Sequence, residues 1–306
     1  MSKSKQKYNS FVSENYVPVF YRPWYLDAVC DSQWDIIMHE EDGEILGILV
    51  YMIKKKFGLT YILHPLLCPY MGPLFYGTLD VDIVYKSLID QLPKHHLMVQ
   101  DYFHGAPEVS NNPAITKRKY TYIVDKDLDL EILQSQLSSD RRRKIRKASE
   151  QFIYQKEEQF SVFSNFLDRT FTDRGKLNPY AKGSLEKLDG QLLKNQARKI
   201  VKCIDPEGKI MAMGYFVRDE KWMYNLATGV DSSYPHEAMS LMMWNEITSS
   251  LNSGRSFDFE GSSIPGVEAF YKAFKGEKIH CQSIYRSQNR IIDLLVKIKN
   301  PEILPQ

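Results

Sequence analysis

The sequence contains few cysteines, and they form no recognisable pattern. The four thiols belong to Cys30, Cys68, Cys203 and Cys281, and no Cys-x-x-Cys pair occurs among the 306 residues. Zinc sites and disulfide frameworks require closely and regularly spaced cysteines, so free thiols in a reducing compartment explain these residues better. We therefore predict neither a metal site nor a disulfide framework.

The sequence also lacks a long apolar segment and a strong charge of either sign. Its most apolar run, residues 45–53, is about half as long as a membrane-spanning helix. The first ten residues carry charges with no apolar stretch behind them, unlike a signal peptide. Lys and Arg number 40 against 38 Asp and Glu, so any attraction to a polyanion must come from a local cluster. We expect a soluble, cytoplasmic protein with no membrane span.

What the chain does have is the composition of a large folded core. Hydrophobic residues make up 43% and aromatic residues 12% of the sequence, which argues against long disordered segments. A chain of 306 residues is long enough for one large domain or two ordinary ones. Only residues 1–15 have the polar character of a tail.

The order of predicted elements indicates an α/β (α+β) fold made of two similar halves. Each half is expected to have a mixed, mostly antiparallel central sheet flanked by helices, with an antiparallel meander that leads into a right-handed crossover. We place the first, truncated half at residues 1–126, a basic helical connector at 127–150 and the second half at 151–306. The first half is predicted to have helices at 23–30 and 82–92, a hairpin around Asp42-Gly43, and strands at 58–64, 95–102 and 119–125. The second half is predicted to have strands at 152–158, 255–261 and 278–286, three strands within 197–230, and helices at 161–175, 182–195, 235–252 and 266–274.

The strongest local pattern is a basic helix at residues 138–148, SSDRRRKIRKA. Ser138 to Asp140 supply candidate N-caps, and six of the seven residues from 141 to 147 are Arg or Lys. A phosphate-bearing partner would relieve the repulsion among these charges. A solvated linker helix, neutralised by acidic residues such as Glu150, is the alternative.

Two segments resemble FemAB-type members of the Gcn5-related N-acetyltransferase (GNAT) superfamily. They are RRRKIRKA at 141–148 and FDFEGSSIPGVEAFYKAFKGE at 257–277, and the resemblance extends over most of the chain, most strongly from 137 to 286. It implies tandem GNAT-like halves that transfer an acyl or aminoacyl group to an amine, with no permanently bound cofactor. The implied donor is aminoacyl-tRNA, held in part by the basic helix 141–147, or acyl-CoA. The implied acceptor is a small-molecule or peptide amine, such as a cell-wall precursor, in a cleft between the halves.

The resemblance also suggests residues that bind the donor. Asn225 and Thr228 are polar residues on an otherwise apolar strand, and either can hydrogen-bond the donor or simply face solvent. Tyr234 and His236 lie where a helix N-terminus would approach phosphate. The basic helix adds three candidate phosphate ligands, Arg142, Arg143 and Arg146.

One departure from the GNAT pattern bears on the identity of the donor. A GNAT loop that binds acetyl-CoA is rich in glycine, whereas residues 233–238 read Ser-Tyr-Pro-His-Glu-Ala. Pro235 removes a backbone donor, and Glu237 would repel phosphate. This favours a FemAB-like donor over acetyl-CoA. Two alternatives remain open: an acetyl-CoA-dependent N-acetyltransferase, and a non-catalytic protein that binds a phosphate-bearing or nucleotide-linked ligand.

Three residues are candidates for the chemistry of transfer. Tyr271 falls where GNAT enzymes often place a tyrosine that protonates the leaving group, although an aromatic beside Phe270 and Phe274 also suits a core. Asp258 and Glu260 alternate on the strand predicted at 255–261 and would project to one face. They are candidates for a base or an amine-binding pair, or for a loop cap.

Overall fold

The predicted Asp42-Gly43 hairpin begins the first sheet of the computed structural model. Strand β1 (Trp34–Glu41) pairs antiparallel with β2 (Glu44–Lys56). Asp42 and Gly43 have φ angles of 49° and 87°, as a tight two-residue hairpin turn requires. The structure describes residues 2–77, 80–110, 112, 114–180, 183–231, 237–261 and 265–288.

The chain divides into two compact units, of which the first comprises residues 1–120 and 280–306. Its sheet runs in the order β1-β2-β3-β5-β12, with β4 paired to β2, and the ladder from β3 to β5 is parallel. The elements that belong to this unit wholly or in part are α1 (Lys3–Glu14), a 3-10 turn (Val19–Tyr21), α2 (Pro23–Val29), β3 (Leu59–Leu63), β4 (Leu74–Phe75), α3 (Val81–Asp90), β5 (Leu97–Asp101), β6 (Ile115–Val124) and β12 (Glu277–Ser287).

The second unit comprises residues 121–279. Its sheet runs in the order β6-β11-β10-β9-β8-β7, and the ladder from β10 to β11 is parallel while the others are antiparallel. The predicted connector 127–150 lies within this unit. The elements after β6 are α4 (Leu130–Gln136), α5 (Ser139–Gln151), β7 (Ile153–Glu157), α6 (Phe160–Thr172), α7 (Ser184–Lys194), β8 (Arg198–Ile204), β9 (Ile210–Arg218), β10 (Trp222–Val230), α8 (Glu237–Asn252), β11 (Ser256–Asp258) and α9 (Pro265–Lys272).

The two units repeat one plan, which confirms the predicted fold class. In each, three consecutive antiparallel strands (β1 to β3, β8 to β10) lead through a helix (α3, α8) to a strand that pairs in parallel with the third. The strand that completes each sheet comes from elsewhere in the sequence. β6 follows β5 along the chain but pairs with β11, whereas β12 follows β11 and pairs with β5. The last strands of the two halves are thus exchanged.

One expectation for the first half was wrong. Residues 3–14 form helix α1 rather than a polar tail, because Tyr8 and Val12, one turn apart, are buried and the Tyr8 hydroxyl donates to the carbonyl oxygen of Tyr21 at 2.6 Å. On α3, Val84 and Leu88 pack into the core, whereas the exposed fraction of Ile83 is 56%. Among the described residues, no helix combines the length and apolar character needed to cross a membrane.

A buried carboxylate in the first unit makes the stability of this unit depend on pH. The Asp101 carboxylate accepts a hydrogen bond from the Ser283 hydroxyl at 2.6 Å and lies 3.3 Å from His64 Nε2 and 3.7 Å from Lys119 Nζ. Burial alone would raise the pKa of Asp101, but hydrogen bonds from His64 and Ser283 and the charge of Lys119 outweigh it and hold the pKa well below its usual range. The folded state therefore gains stability from this carboxylate above about pH 4, and loses it as the pH falls towards the lower folded pKa.

We accordingly expect Asp101→Asn to lower the free energy of unfolding at pH 7 and to cost progressively less below about pH 4. Urea unfolding of both proteins at pH 7 and pH 3 measures this difference. Asp90→Asn, which changes an exposed carboxylate, is the matched control and should have little effect at either pH. An equal cost of Asp101→Asn at both pH values would contradict the electrostatic explanation.

Candidate functional site

A cavity of about 640 Å³ opens in the second unit beside strand β10. Helices α6, α8 and α9 and the segment after β11 contribute to its wall. Most of the lining is apolar, with a small number of polar groups, as is usual for small-molecule sites. The polar and charged lining residues are Arg174, Lys176, Tyr180, Asn225, Thr228, Glu260 and Tyr271.

Strand β10 is irregular where it borders this cavity. Its ladder to β9 shifts register between Asn225 and Ala227, so Leu226 is an extra residue, and such a bulge re-aims the side chains around it. The four residues 225–228 all line the cavity, although only alternate residues of a regular strand would share one face. The described ladder from β10 to β11 covers only Trp222 to Tyr224. Beyond Tyr224, the backbone groups of β10 that face away from β9 have no ladder to β11 among the described residues and can hydrogen-bond a ligand.

Asn225 and Tyr271 form the polar floor of the cavity. The Asn225 side-chain N–H donates to the Tyr271 hydroxyl at 3.1 Å, and both side chains are buried. Asn225 Oδ1 is also buried, and among the described residues it has no hydrogen-bond partner. Buried polar atoms are nearly always hydrogen-bonded, so this oxygen is suited to accept a hydrogen bond from a ligand.

The Tyr271 hydroxyl is held in its neutral form. Burial raises the pKa of Tyr271 well above its usual value, and the negative charge of Glu260 raises it further. The ring packs against Phe259, with 4.7 Å between the ring centroids. Tyr271 therefore combines the predicted core role with a protonated hydroxyl on the cavity wall.

Asp258 and Glu260 do not alternate on one strand as predicted. Strand β11 ends at Asp258, and Glu260 adopts a left-handed conformation with φ of 58°. The physical reason is an Asx-type turn, in which the Asp258 carboxylate accepts from the Glu260 backbone N–H at 2.7 Å. Asp258 is fully buried and also accepts from the Thr121 hydroxyl at 2.5 Å. Only Glu260 lines the cavity.

Three polar or charged residues of the cavity were not predicted from the sequence. Arg174 and Lys176 follow helix α6 and are exposed, while Tyr180 is partly buried. Burial raises the pKa of Tyr180, and Glu260 adds to the effect. The only signal in the sequence was Gly175 at the predicted end of the helix, which marks a turn but gives no indication of the cavity.

A second cavity, of about 430 Å³, adjoins the first and shares Gly266 and Phe270 with it. Arg141, Lys144, Glu237 and Ser240 line it. The guanidinium carbon of Arg141 lies 4.8 Å from the ring centroids of both Phe270 and Phe274, and its Nη1 donates to Ser240 Oγ at 2.6 Å.

The predicted basic helix is α5, and Ser138 is its N-cap, as expected, with Oγ accepting from the Arg141 backbone N–H at 3.1 Å. Arg142 donates to the carbonyl oxygens of Ser135 and Leu137, so it holds the turn between α4 and α5. Arg143 pairs with Asp140 at 2.7 Å.

The remaining predicted donor-binding residues are Arg146, Thr228, Tyr234 and His236. Arg146 is exposed. Thr228 lines the cavity. Tyr234 and His236 lie outside the described residues.

Comparison with known proteins identifies the fold. No family model and no curated protein sequence matches this chain. FemX has a similar structure, with a TM-score of 0.68 and 14% identity over 97% of this chain and 99% of FemX. The C-terminal domain of a putative lysylphosphatidylglycerol synthetase from Agrobacterium fabrum has a TM-score of 0.58, with 11% identity over 96% of each chain. L-PGS from Bacillus licheniformis has a TM-score of 0.54, with 13% identity over 98% of this chain and 97% of that one. The likeness to FemX confirms the predicted FemAB-like, tandem GNAT-type fold.

Proposed function

We propose that this protein transfers an acyl or aminoacyl group from a carrier to an amine, and that the reacting end of the donor occupies the 640 Å³ cavity. The observation that carries the proposal is the buried Oδ1 of Asn225, which has no hydrogen-bond partner among the described residues, beside the neutral hydroxyl of Tyr271. A substrate carbonyl placed beside β10 beyond Tyr224, where the described ladder to β11 ends, would meet the backbone groups that face away from β9.

The cavity supplies the groups that acyl transfer needs. The attacking amine must lose a proton, which the Glu260 carboxylate can accept. The carbonyl oxygen gains negative charge in the tetrahedral intermediate and requires hydrogen-bond donors, a role suited to the backbone N–H groups of residues 225–228 that face away from β9. The departing oxygen or sulfur requires a proton, which the Tyr271 hydroxyl can give because it is neutral.

An aminoacyl donor fits this cavity better than acetyl-CoA. An aminoacyl group carries N–H donors that match Asn225 Oδ1 and the negative charge of Glu260, whereas an acetyl group carries none. The C-terminal domain of a putative lysylphosphatidylglycerol synthetase, whose name indicates aminoacyl chemistry, has a similar fold. The acceptor is then a small-molecule or peptide amine, with a cell-wall precursor as the first candidate. Arg143 and Arg146 are proposed to contact the phosphates of a tRNA carrier.

Ligand-induced thermal stabilisation tests the donor. We expect a stable aminoacyl-tRNA analogue to raise Tm more than uncharged tRNA does, and acetyl-CoA or UDP-sugars to raise it little. Asn225→Leu should weaken binding of the aminoacyl analogue by about tenfold, the equivalent of one hydrogen bond, and leave binding of uncharged tRNA unchanged. Arg146→Ala should weaken both tRNA forms equally and reduce their salt dependence.

Other outcomes select the alternatives. Stabilisation by acetyl-CoA alone would replace the proposed donor and favour an N-acetyltransferase. Stabilisation by a UDP-linked sugar, with no transfer of a labelled acyl group to any amine, would favour a non-catalytic binding protein. The second cavity, with Arg141 and Lys144 on its wall, is the feature that fits such a phosphate-bearing ligand.

A further inference from the structure

The tip of the β2–β3 hairpin in the first unit presents three lysines and an aromatic ring to solvent. Lys54, Lys55 and Lys56 are all exposed, and the exposed fraction of Phe57 is 88%. The Nζ atom of the exposed Lys56 lies 5.1 Å from the centroid of the Phe57 ring. The ring therefore contributes nothing to the core.

Phe57 occupies a backbone position that suits it poorly. Lys56 pairs with Leu59, which leaves Phe57 and Gly58 as a two-residue turn with φ angles of 53° and 73°. Such turns favour Asn or Asp before Gly, because left-handed backbone is costly for a bulky side chain. The first hairpin of the same sheet obeys this rule with Asp42-Gly43. Phe57 thus weakens the turn and adds nothing to the core, as is expected of a residue that serves a function other than folding.

The tip also extends beyond the neighbouring strands. The ladder from β1 to β2 ends at Met52, and the ladder from β3 to β5 begins at Tyr61. Residues 54–60 thus form a two-stranded ribbon at the margin of the sheet.

The charge of this ribbon has one sign. The segment 53–63 reads IKKKFGLTYIL and contains no acidic residue. Within the described part of the chain, none of its three lysines takes part in an ion pair or side-chain hydrogen bond.

We propose that residues 54–59 form a peripheral membrane-binding tip for anionic phospholipid surfaces, independent of the transfer reaction. The three ammonium groups would lie among the headgroup phosphates, where each basic residue near an anionic surface adds to binding. Phe57 would enter the boundary between headgroups and acyl chains, where aromatic side chains are favoured. A basic cluster together with an apolar wedge gives reversible attachment, whereas either signal alone is weak. A nucleic acid fits less well, because single-stranded nucleic acids bind in grooves lined with aromatic side chains on which the bases stack. This tip is instead the end of a two-stranded ribbon.

Vesicle co-sedimentation tests the proposal directly. We expect the full chain to bind vesicles of 70% phosphatidylcholine and 30% phosphatidylglycerol at low salt and to dissociate from them at about 0.5 M salt. It should not bind vesicles of pure phosphatidylcholine. Lys54→Gln/Lys55→Gln/Lys56→Gln should weaken binding more than about thirtyfold, and Phe57→Asn about tenfold. Leu177→Asn, at a side chain that is 93% exposed, is the matched control and should leave binding unchanged.

The variant Phe57→Asn separates the membrane role from a structural one. Asn tolerates left-handed backbone, so Tm should stay the same or rise while vesicle binding falls. A lowered Tm would show that Phe57 serves the fold, and unchanged vesicle binding by Phe57→Asn or by the triple-lysine variant would overturn the proposal. So would a wild-type chain that ignores anionic vesicles but binds RNA through these residues.

Discussion

Replacing Tyr271 with phenylalanine is expected to lower the rate of acyl transfer by about 10²–10⁴-fold, the usual contribution of a positioned acid, and to lower the free energy of unfolding by about 1–3 kcal/mol, because the buried Asn225 N–H loses its acceptor. The substitution removes only the hydroxyl, which accepts the Asn225 hydrogen bond at 3.1 Å, while the ring keeps its packing against Phe259. Single-turnover measurements with the donor identified by thermal stabilisation would report the rate of the chemical step. The loss should appear in kcat rather than in donor affinity.

Tyr180→Phe is the matched control, because it removes a second partly buried hydroxyl from the same cavity that is not bonded to Asn225. Its expected effect on the rate is small. The pH profile gives an independent check: the pKa of Tyr271 is raised by burial and by Glu260, so the acid stays protonated, and the wild-type rate should not fall on this account below about pH 10. A Tyr271→Phe rate within a few fold of wild type would assign protonation of the leaving group to water.

Replacing Asp258 with alanine should lower the free energy of unfolding by about 3 kcal/mol, because it leaves two buried donors without their charged acceptor. These donors are the Thr121 hydroxyl and the Glu260 backbone N–H. The turn that fixes Glu260 in its left-handed conformation would also loosen, so donor binding should weaken. Urea denaturation measures the first effect, and ligand-induced stabilisation the second.

Asp258→Asn keeps an acceptor oxygen in nearly the same place and should cost less than half as much in unfolding free energy as the alanine variant. If Asp258→Ala were as stable as wild type but inactive, the carboxylate would act in catalysis rather than as the support for Glu260. That result would restore the paired-carboxylate hypothesis derived from the sequence.

The fold was largely predictable where local chemistry and hydrophobic pattern agree. The three antiparallel strands of the second unit follow from apolar runs separated by turns around Gly208 and Asp219, and α6 follows from its buried face of Phe163, Phe166 and Leu167. Helix α1 was missed because it buries only Tyr8 and Val12 in an otherwise polar segment. The predicted helical connector 127–150 did not separate α4 from α5, because α4 has only Leu133 in the core. Strand β4 is two residues long and has no periodicity to detect.

The candidate site was predictable only in part. The resemblance to FemAB-type proteins led to Asn225 and Tyr271, and the structure brings these two side chains into contact. The bulge at Leu226 depends on packing across the sheet and leaves no mark in the sequence. The prediction that Asp258 and Glu260 alternate on one strand was wrong because the Asp258 carboxylate accepts a hydrogen bond from the Glu260 backbone N–H. This turn ends the strand at Asp258.

The exchanged last strands affect the order in which a ribosome-bound chain can fold. The second unit is one continuous segment, residues 121–279, and its edge partner β6 emerges before the rest of its sheet. The first unit must wait for β12, at 277–287, to cover β5, at 97–101. The first unit to leave the ribosome is therefore the last to finish, and β5 remains an open edge, exposed to mispairing, until the second unit has been synthesised.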